Sequence, residues 1–259
     1  MSSKVAIVIP VHNALPYLQR TVNQIYTTTS ADVPLVLIDD ASLEPTADWI
    51  QSLVHKKSSN QVPLKHLLTR KAVSARNTRQ QLFTRTSNRG LRLAYKNFSP
   101  DYIALINSDC DLRAGWLEGL LEWMAPDVGL VGYRDAPPPE ELYDETEEKQ
   151  SPDYVTGHCV LLRVVALREC GVFCETDING SKDPGLFNLC GLAHIGSDRH
   201  LNYAFQAKGW RTLYSNRPGV YHEAGKSWKG GSHNLGWLSQ FQLSPLWEPC
   251  DVLDEPKWY

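Results

Sequence analysis

The sequence predicts an α/β fold with a mostly parallel central sheet flanked by helices, in a single domain that ends in an aromatic-rich C-terminal tail. Short apolar runs rich in β-branched residues alternate with amphipathic segments of helical period. That alternation is typical of βαβ units joined by right-handed crossovers. The apolar runs contain few polar residues, which indicates strands buried on both faces, as parallel strands usually are.

The first half of the chain alternates regularly between the two patterns. Each predicted strand is an apolar run, and each predicted helix carries apolar residues at steps of three and four. The strands are expected at 5–12, 33–40, 62–68, 102–107 and 128–133, and the helices at 13–29, 46–57, 88–97 and 114–124.

The second half is less regular. Prolines and acids crowd residues 134–153, which predicts an exposed, mobile loop because such a segment buries too little apolar surface. A strand and a short helix are expected within 154–170, and a helix over 197–209 ends at a glycine. Short strands follow at 210–215 and 219–222. The last 25 residues are rich in tryptophan, which predicts a tail packed on the domain.

Length and charge narrow the class of protein. The 259 residues suffice for one large domain or two small ones, and the net charge is −3. A general nucleic-acid-binding protein usually carries a marked basic excess, so we do not expect this chain to bind nucleic acids in general. The stretch 69–92 is nevertheless locally basic and lacks acids, which predicts a surface facing phosphate groups. Its cations are Arg70, Lys71, Arg76, Arg79, Arg85, Arg89 and Arg92.

Cysteine usage and the N-terminal sequence predict the compartment. The 6 cysteines lack a metal-ligand spacing such as CxxC. The apolar run that begins at Val5 is too short for a signal peptide or a membrane span. We therefore expect a cytoplasmic protein with reduced thiols and no membrane span.

Polar residues follow three of the predicted strands. They are His12, Asp39, Asp40, Asp109 and Asp111. The carboxyl ends of parallel strands meet at one edge of the sheet, where open α/β folds bind ligands. In an extended chain Asp109 and Asp111 point to the same face and lie near each other. Two neighbouring carboxylates repel each other unless a cation or a shared proton lies between them. Mg²⁺ and Mn²⁺ are natural occupants of such a site.

Two common nucleotide-binding signatures do not follow the first strand. The sequence contains no GxxxxGK[ST] loop, which excludes a P-loop enzyme. It also lacks the glycine-rich turn that dinucleotide-binding folds place after their first strand.

Taken in order, the motifs resemble those of GT-A-fold glycosyltransferases of family 2, which are inverting, metal-dependent nucleotide-sugar transferases. The resemblance runs from Val5 to about Trp228. It implies a domain over 1–228, with a nucleotide-sugar-binding half at 1–112, an acceptor-side half at 113–228 and a tail at 229–259. The matching segments are VAIVIPVHNALPYLQRTV, VLIDDAS, SNRGLRLA, ALINSDCDLRAGWLEGLL, VTGHCVLLRVVALRECGVF and GSDRHLNYAFQAKGWRTLYSNRPGVYHEAGKS.

The resemblance implies a set of nucleotide-binding residues. Asp40 matches the position that contacts the base, and Asp39 lies beside it. His12 stands where many members have a tyrosine that lies against the base. The other implied nucleotide-binding positions are Pro10, Arg76, Asn88 and Ser108.

The resemblance also implies a metal site and a general base. Asp109 matches the metal-binding carboxylate, and His222 matches a late histidine that can complete the metal site. Asn107 stands where other members have the first aspartate of DxD, so Asp111 is either a neighbouring carboxylate or a replacement ligand. Asp198 matches the general base. A helix-capping aspartate and a buried structural histidine are the alternative interpretations of Asp198 and His222.

The implied function is transfer of a sugar from a nucleoside diphosphate sugar to an acceptor hydroxyl, with Mn²⁺ or Mg²⁺ as cofactor. A UDP- or dTDP-sugar is the expected donor and a glycan the expected acceptor; a lipid-linked glycan, a protein or a modified DNA base stays open. One alternative is a non-catalytic nucleotide- or carbohydrate-binding module, which the presence of Asp198 and His222 disfavours. The other is a nucleotide-sugar-forming nucleotidyltransferase, which would want a glycine-rich loop with a basic residue after the first strand.

Overall fold

A central sheet of eight strands organises the computed structural model, which describes residues 4–55, 70–78, 82–133, 149–150, 155–170, 197–215, 217 and 219–223. The strands are β1 (Val5–Val11), β2 (Leu35–Asp39), β3 (Ala72–Arg76), β4 (Tyr102–Ile106), β5 (Cys110–Leu112), β6 (Val128–Tyr133), β7 (Lys149–Gln150), β8 (Cys159–Arg163), β9 (Arg211–Ser215) and β10 (Val220–His222). The helices are α1 (Leu15–Thr28), α2 (Glu44–Val54), α3 (Leu82–Phe98), α4 (Trp116–Leu121), α5 (Val164–Glu169) and α6 (Ser197–Ala207).

The strand order in the large sheet is β3-β2-β1-β4-β8-β6-β9-β7. The first four strands are parallel to one another, which confirms the predicted α/β fold with a mostly parallel sheet. β8 runs antiparallel between β4 and β6, a reversal that strand–helix alternation did not predict. β5 and β10 form a separate antiparallel pair.

The strand order reverses direction at β1. The chain passes outward from β1 to β2 and β3, and then returns to the other side of β1 with β4. β1 pairs with β2 as far as Val11 but with β4 only as far as Val8. Pro10, which has no N–H to donate, lies beyond the last pair with β4. The two strands therefore separate at their carboxyl ends, where ligands bind in folds of this type.

The helices cover both faces of the sheet. Alternate residues of β1 enter two separate apolar cores, as expected for a strand buried on both sides. One core includes side chains of α1, α2 and α4. The other includes side chains of α3, α5 and α6.

The third strand lies later in the chain than predicted. β3 is formed by Ala72–Arg76, within the stretch expected to be a basic surface. The run 62–68, predicted as this strand, lies outside the described residues. Residues 72–76 read Ala-Val-Ser-Ala-Arg and form no long apolar run, as suits an edge strand that is only partly buried.

Arg70 does not face a phosphate, so the predicted basic surface is wrong at this position. Its side chain is 2% exposed, and its guanidinium donates to the carbonyl oxygens of Ile25, Thr29 and Val33. These oxygens lie at and just beyond the end of α1, where a cation is favoured by the helix dipole. Burial lowers the pKa of Arg70. The residue therefore caps α1 and joins it to the start of β3.

Other expectations are met in part. α4 is shorter than predicted because Gly115 has a φ of 80° and the helix begins only at Trp116. Within 134–153 the structure describes only Lys149–Gln150, which pair with β9 as β7. The tail 229–259 lies outside the described residues. Among those described, no helix has the length and apolar character needed to cross a membrane.

Helix α3 makes its closest approach to the sheet at Gly90. A Cβ added at Gly90 would lie 2.4 Å from Cγ1 of Val8 and 3.1 Å from Cγ1 of Ile38. Only glycine allows the helix to lie this close to β1 and β2, because the conflicting atoms belong to buried, β-branched core side chains.

We predict that Gly90→Ala destabilises the fold, although alanine is the better helix former. Overpacking of a filled core lowers the free energy of unfolding by about 1–3 kcal/mol, which outweighs the gain in helix propensity. Urea unfolding followed by circular dichroism measures the change. Lys96→Ala, at an exposed position of the same helix, is the control and should be near neutral. A Gly90→Ala protein as stable as the wild type would contradict this packing argument.

Candidate functional site

The polar residues predicted at strand ends lie along one edge of the sheet. β1, β2 and β4 are mutually parallel neighbours, so their carboxyl ends coincide. His12 follows β1, Asp39 ends β2, and Asn107 follows β4. They lie at the carboxyl edge of the sheet, where the sequence predicted a ligand site.

Asp39 shapes the loop after β2. Its side chain is 2% exposed, and Oδ1 accepts a hydrogen bond of 2.8 Å from the backbone N–H of Ser42. Oδ2 lies 3.2 Å from Nε of Arg76, and Nη2 of the same guanidinium donates to the Ser42 carbonyl at 2.8 Å. The Arg76 side chain is 51% exposed, so its guanidinium lies at the rim of the site with its orientation fixed by this ion pair.

Asp40 belongs to a buried hydrogen-bond network. Its Oδ1 accepts from Nδ2 of Asn77 at 2.7 Å, and the carbonyl of Asn77's side chain accepts from Arg89 at 2.5 Å. Nδ1 of His12 donates to the Asp40 carbonyl oxygen at 2.8 Å. The sequence did not identify Asn77, because Asn77 follows the strand β3 that the apolar pattern missed.

The remaining predicted nucleotide residues are buried around this edge. Pro10 lies in β1, Asn88 is 0% exposed in α3, and Ser108 is 4% exposed directly after β4. The Thr21 hydroxyl lies 3.0 Å from the Ser108 carbonyl and 2.6 Å from that of Cys110, so α1 holds the chain on both sides of Asp109. A direct nucleotide contact by these three residues stays a prediction.

Asp109, His222 and Asn107 converge at the end of β4. Nε2 of His222 lies 3.2 Å from Oδ1 of Asp109 and 3.2 Å from Nδ2 of Asn107. The short β5–β10 ladder brings this about, because it pairs His222 with Cys110, the residue after Asp109. The Asp109 side chain is 4% exposed and that of His222 is 15% exposed, so the group is largely shielded from water.

The chemistry of this trio fits a divalent cation. A single ring nitrogen cannot donate to a carboxylate and accept from an amide in the same tautomer. Oδ1 of Asn107 is a buried acceptor with no hydrogen-bond partner among the described residues. Rotating the Asn107 amide by half a turn would place its Oδ1 where Nδ2 now lies. That oxygen, Oδ1 of Asp109 and Nε2 of His222 would then all face one cation. Adjacent ligands of Mg²⁺ at about 2.1 Å lie about 3 Å apart, close to the observed separations.

Asp111 has a different partner from Asp109. Its carboxylate accepts from the side-chain amide of Gln24 in α1, and the carbonyl of that amide accepts from the Leu112 backbone at 2.9 Å. Within the described part of the chain, no group of three or more His, Cys, Asp or Glu side chains could hold a metal ion. A metal site at this place would therefore need a ligand beyond the His, Cys, Asp and Glu side chains that the structure describes, and Asn107 is one such group; the role of Asp111 stays a prediction.

A short segment before β8 borders the other side of the trio. The His158 ring stacks on the His222 ring, with centroids 4.9 Å apart and planes inclined by 8°. The His158 carbonyl accepts from the Asn107 backbone N–H at 2.7 Å. The preceding residue, Gly157, donates its N–H to Oδ2 of Asp198 at 3.3 Å. Asp198 lies in the first turn of α6, as predicted.

The family model described as glycosyl transferase family 2 matches residues 6–155. The chain belongs to glycosyl transferase family 2. This confirms the resemblance found in the sequence. The matched range runs from Ala6 in β1 to Val155. No curated protein matches the chain in sequence.

Solved glycosyltransferase structures share the fold. A mannosyltransferase from Pyrobaculum calidifontis, in complex with GDP-Man and Mn²⁺, aligns with a TM-score of 0.55 and 14% identity over 84% of this chain and 58% of that one. S. aureus TarS 1–349 aligns with a TM-score of 0.59 and 10% identity over 86% of this chain and 61% of that one. A TarS complex with UDP-GlcNAc gives a TM-score of 0.53, with 11% identity over 84% and 58% of the two chains. The family 2 chain thus spans about three fifths of these neighbours.

Backbone strain is concentrated in the two loops beside Asp40. Asn13, Ala14 and Ala41 have φ values of 55°, 56° and 55°, in the left-handed region that side chains disfavour. Asn13 joins the loops, because its N–H donates to the Ser42 hydroxyl and its side-chain carbonyl accepts from Leu43. Strain of this kind persists where the surroundings impose it, typically at functional sites.

We predict that Ala41→Gly raises the free energy of unfolding by about 0.5–1 kcal/mol, because glycine adopts a positive φ without the Cβ clash. Urea unfolding measures the change. Ala47→Gly is the matched control: the same replacement within helix α2 should lower the free energy of unfolding. Equal destabilisation by both substitutions would contradict the strain at Ala41.

Proposed function

We propose that this family 2 protein is an inverting glycosyltransferase, which transfers a sugar from a nucleoside diphosphate sugar to an acceptor hydroxyl. One observation carries the proposal: consecutive residues bridge the two centres that such a reaction needs. Gly157 contacts the Asp198 carboxylate, and His158 stacks on His222 beside Asp109. In this proposal Asp198 is the base and Asp109 part of the cation site, and the contacts of Gly157 and His158 link the two.

In this proposal, Asp39 and Asp40 at the carboxyl end of β2 line the pocket for the sugar donor. A carboxylate at Asp40 accepts from the ring N–H of a pyrimidine, and His12 lies beside it. We propose a UDP- or dTDP-sugar donor, with the exposed guanidinium of Arg76 near the nucleotide. Guanine also offers a ring N–H, and the structural neighbours include complexes with GDP-Man and with UDP-GlcNAc, so a test needs donors of both kinds.

We propose that Asp109, His222 and Asn107 hold Mn²⁺ or Mg²⁺, while Asp111 adds negative charge nearby and orders α1 through Gln24. Oδ1 of Asn107, buried and without a hydrogen-bond partner in the described part of the chain, supports this assignment. The Mn²⁺ present in the mannosyltransferase complex is consistent with it. A divalent cation bound there would offset the negative charge that develops on the leaving diphosphate.

Asp198 is the proposed general base. Its carboxylate takes the proton of the acceptor hydroxyl as the acceptor oxygen bonds to the anomeric carbon. The bond from that carbon to the diphosphate oxygen breaks, and the diphosphate leaves with the electron pair. Attack from the face opposite the diphosphate inverts the configuration in one displacement. The hydrogen bond from Gly157 orients the carboxylate throughout.

A glycan is the proposed acceptor and the cytoplasm the proposed compartment. Among the described residues, Cys110, Cys159 and Cys170 form no disulfide, which is consistent with a reducing compartment. Burial raises the pKa of Cys159 far above its usual range, which keeps that thiol protonated and unreactive. A non-catalytic binding module stays the principal alternative, and loss of turnover without loss of nucleotide binding in Asp198 variants would argue against it.

We predict that Asp109→Asn weakens Mn²⁺ binding by more than about 10-fold, since even indirect partners of metal ligands are worth that much. Isothermal titration calorimetry with Mn²⁺, with and without UDP, measures the loss, and excess EDTA should abolish release of nucleoside diphosphate. Asp111→Asn should produce a smaller loss than Asp109→Asn. Asp127→Asn, which changes an exposed carboxylate paired with Arg211, is the control. Full turnover in excess EDTA would refute the metal site.

We predict that Asp198→Asn lowers transfer by about 10²–10⁴-fold, the usual worth of a positioned base. Binding of Mn²⁺ and of nucleoside diphosphate should be retained, because neither contacts this side chain in the proposed reaction. Release of nucleoside diphosphate from UDP-, dTDP- and GDP-sugars, assayed with a glycan panel, identifies the substrates. NMR of the product should give an inverted anomeric configuration, and a retained configuration would exclude this mechanism.

A further inference from the structure

Asn202 is a buried amide that none of the roles above uses. It lies in α6, one turn after Asp198, and is 0% exposed. Its Oδ1 accepts from the Val155 N–H at 2.9 Å, and its Nδ2 donates to the Val155 carbonyl at 3.0 Å. Nδ2 also donates to the Asp198 carbonyl at 2.8 Å. The amide therefore satisfies both backbone groups of Val155 and holds them against the helix that carries Asp198.

These bonds replace a strand neighbour that Val155 lacks on this side. The ladder between β8 and β4 begins only at Cys159, which pairs with Ile106. Val155 is 0% exposed, and buried backbone groups must find partners. The Asn202 side chain provides a donor and an acceptor in the arrangement that a neighbouring strand would offer. It thus fixes the start of residues 155–158, the connecting segment.

The connecting segment then reaches both centres of the site. Gly157 donates to the Asp198 carboxylate at 3.3 Å, and a Cβ at Gly157 would lie 3.2 Å from Cβ of Asp198. The Thr156 hydroxyl lies 3.1 Å from Nδ1 of His158, which orients that ring. His158 in turn stacks on His222 and accepts from the Asn107 N–H at 2.7 Å. A displacement at Val155 is therefore transmitted within three residues to both centres.

We propose that Asn202 is a positioning residue that sets the Asp198 carboxylate and the His158–His222 stack together, through the connecting segment. The two centres carry the roles given under the proposed function, on which this inference rests. Asn202 acts on the His158–His222 stack through the connecting segment. It acts on Asp198 through Gly157 of that segment and through its own hydrogen bond to the Asp198 carbonyl. The base and the cation site consequently keep a fixed relation to each other.

The test compares two changes of similar size on one helix. Asn202→Leu keeps the branching and the number of side-chain heavy atoms but removes all three hydrogen bonds, whereas Asn202→Asp keeps the acceptor for the Val155 N–H and removes the donor. Gln206→Leu is the matched control, because Gln206 lies one turn further along α6 and its amide bonds to Thr212 instead of the connecting segment. Circular dichroism and thermal unfolding establish that each full-length variant is folded.

The first measurement needs neither metal nor substrate. In ¹⁵N-labelled protein, both Asn202 variants should shift the amide resonance of Asn107 and the ring resonances of His222, and Gln206→Leu should leave them in place. If Asn202→Leu does not fold, Asn202→Asp supplies the same measurement. Unchanged Asn107 and His222 resonances in a folded Asn202 variant would overturn the proposal.

The second measurement uses Mn²⁺ and turnover. Asn202→Leu should weaken Mn²⁺ binding by about 10-fold, the lower end of the effect of residues that orient metal ligands. In a double-mutant cycle, it should lower turnover much less in the Asp198→Asn background than in the wild type, because the base it positions is already absent. Additive losses would overturn the positioning of Asp198.

The two measurements separate this inference from the proposed function. If the wild type binds no Mn²⁺, the proposed metal site fails, and the Asn107 and His222 resonances still decide whether Asn202 sets the stack. If the wild type binds Mn²⁺ and turns over donor while Asn202→Leu matches it in resonances and Mn²⁺ affinity, the proposed function stands and the role of Asn202 is refuted.

Discussion

The parallel pairing of β1 with both β2 and β4 is the constraint on which the site depends. Parallel strands bring their carboxyl ends to the same edge of the sheet, so residues that are distant in sequence lie near one another there. The loops after these strands must then carry polar groups in a place that helices partly cover. The hydrogen bonds of Asp39 and Asp40 meet that requirement, because they satisfy buried carboxylates and shape the loops at the same time.

The sequence predicted the features that depend on local pattern. Apolar runs located β1, β2, β4 and β6, and the polar residues after them identified the edge that holds Asp40 and Asp109. Family resemblance suggested His222 and Asp198, which lie beyond the residues 6–155 that the family model matches. In the structure His222 lies 3.2 Å from Asp109 and Asp198 lies in the first turn of α6, and the roles of both residues stay predictions.

Features that depend on tertiary context were out of reach. β3 is a partly buried edge strand without an apolar run, so Asn77 could not be linked to Asp40 from the sequence. Asn202 looks like an ordinary polar residue in an amphipathic helix, and its importance follows only from the antiparallel β8 that places Val155 beside it. Arg70 appeared to belong to a basic surface because sequence alone does not reveal that carbonyl oxygens at the end of α1 surround it.

Pro10 has a consequence for how this sheet tolerates change. The odd-numbered residues of β1 exchange hydrogen bonds with β2, as Ile7 and Val11 do, so the backbone nitrogen of residue 10 faces the side of β4. Any other residue would introduce a buried N–H there, with no strand partner opposite it. The chain would have to extend the ladder toward β4 and narrow the opening, or admit water to satisfy the new donor. The separation of β1 and β4 at this edge thus follows from the missing N–H of Pro10, and it does not require bulky side chains between the strands.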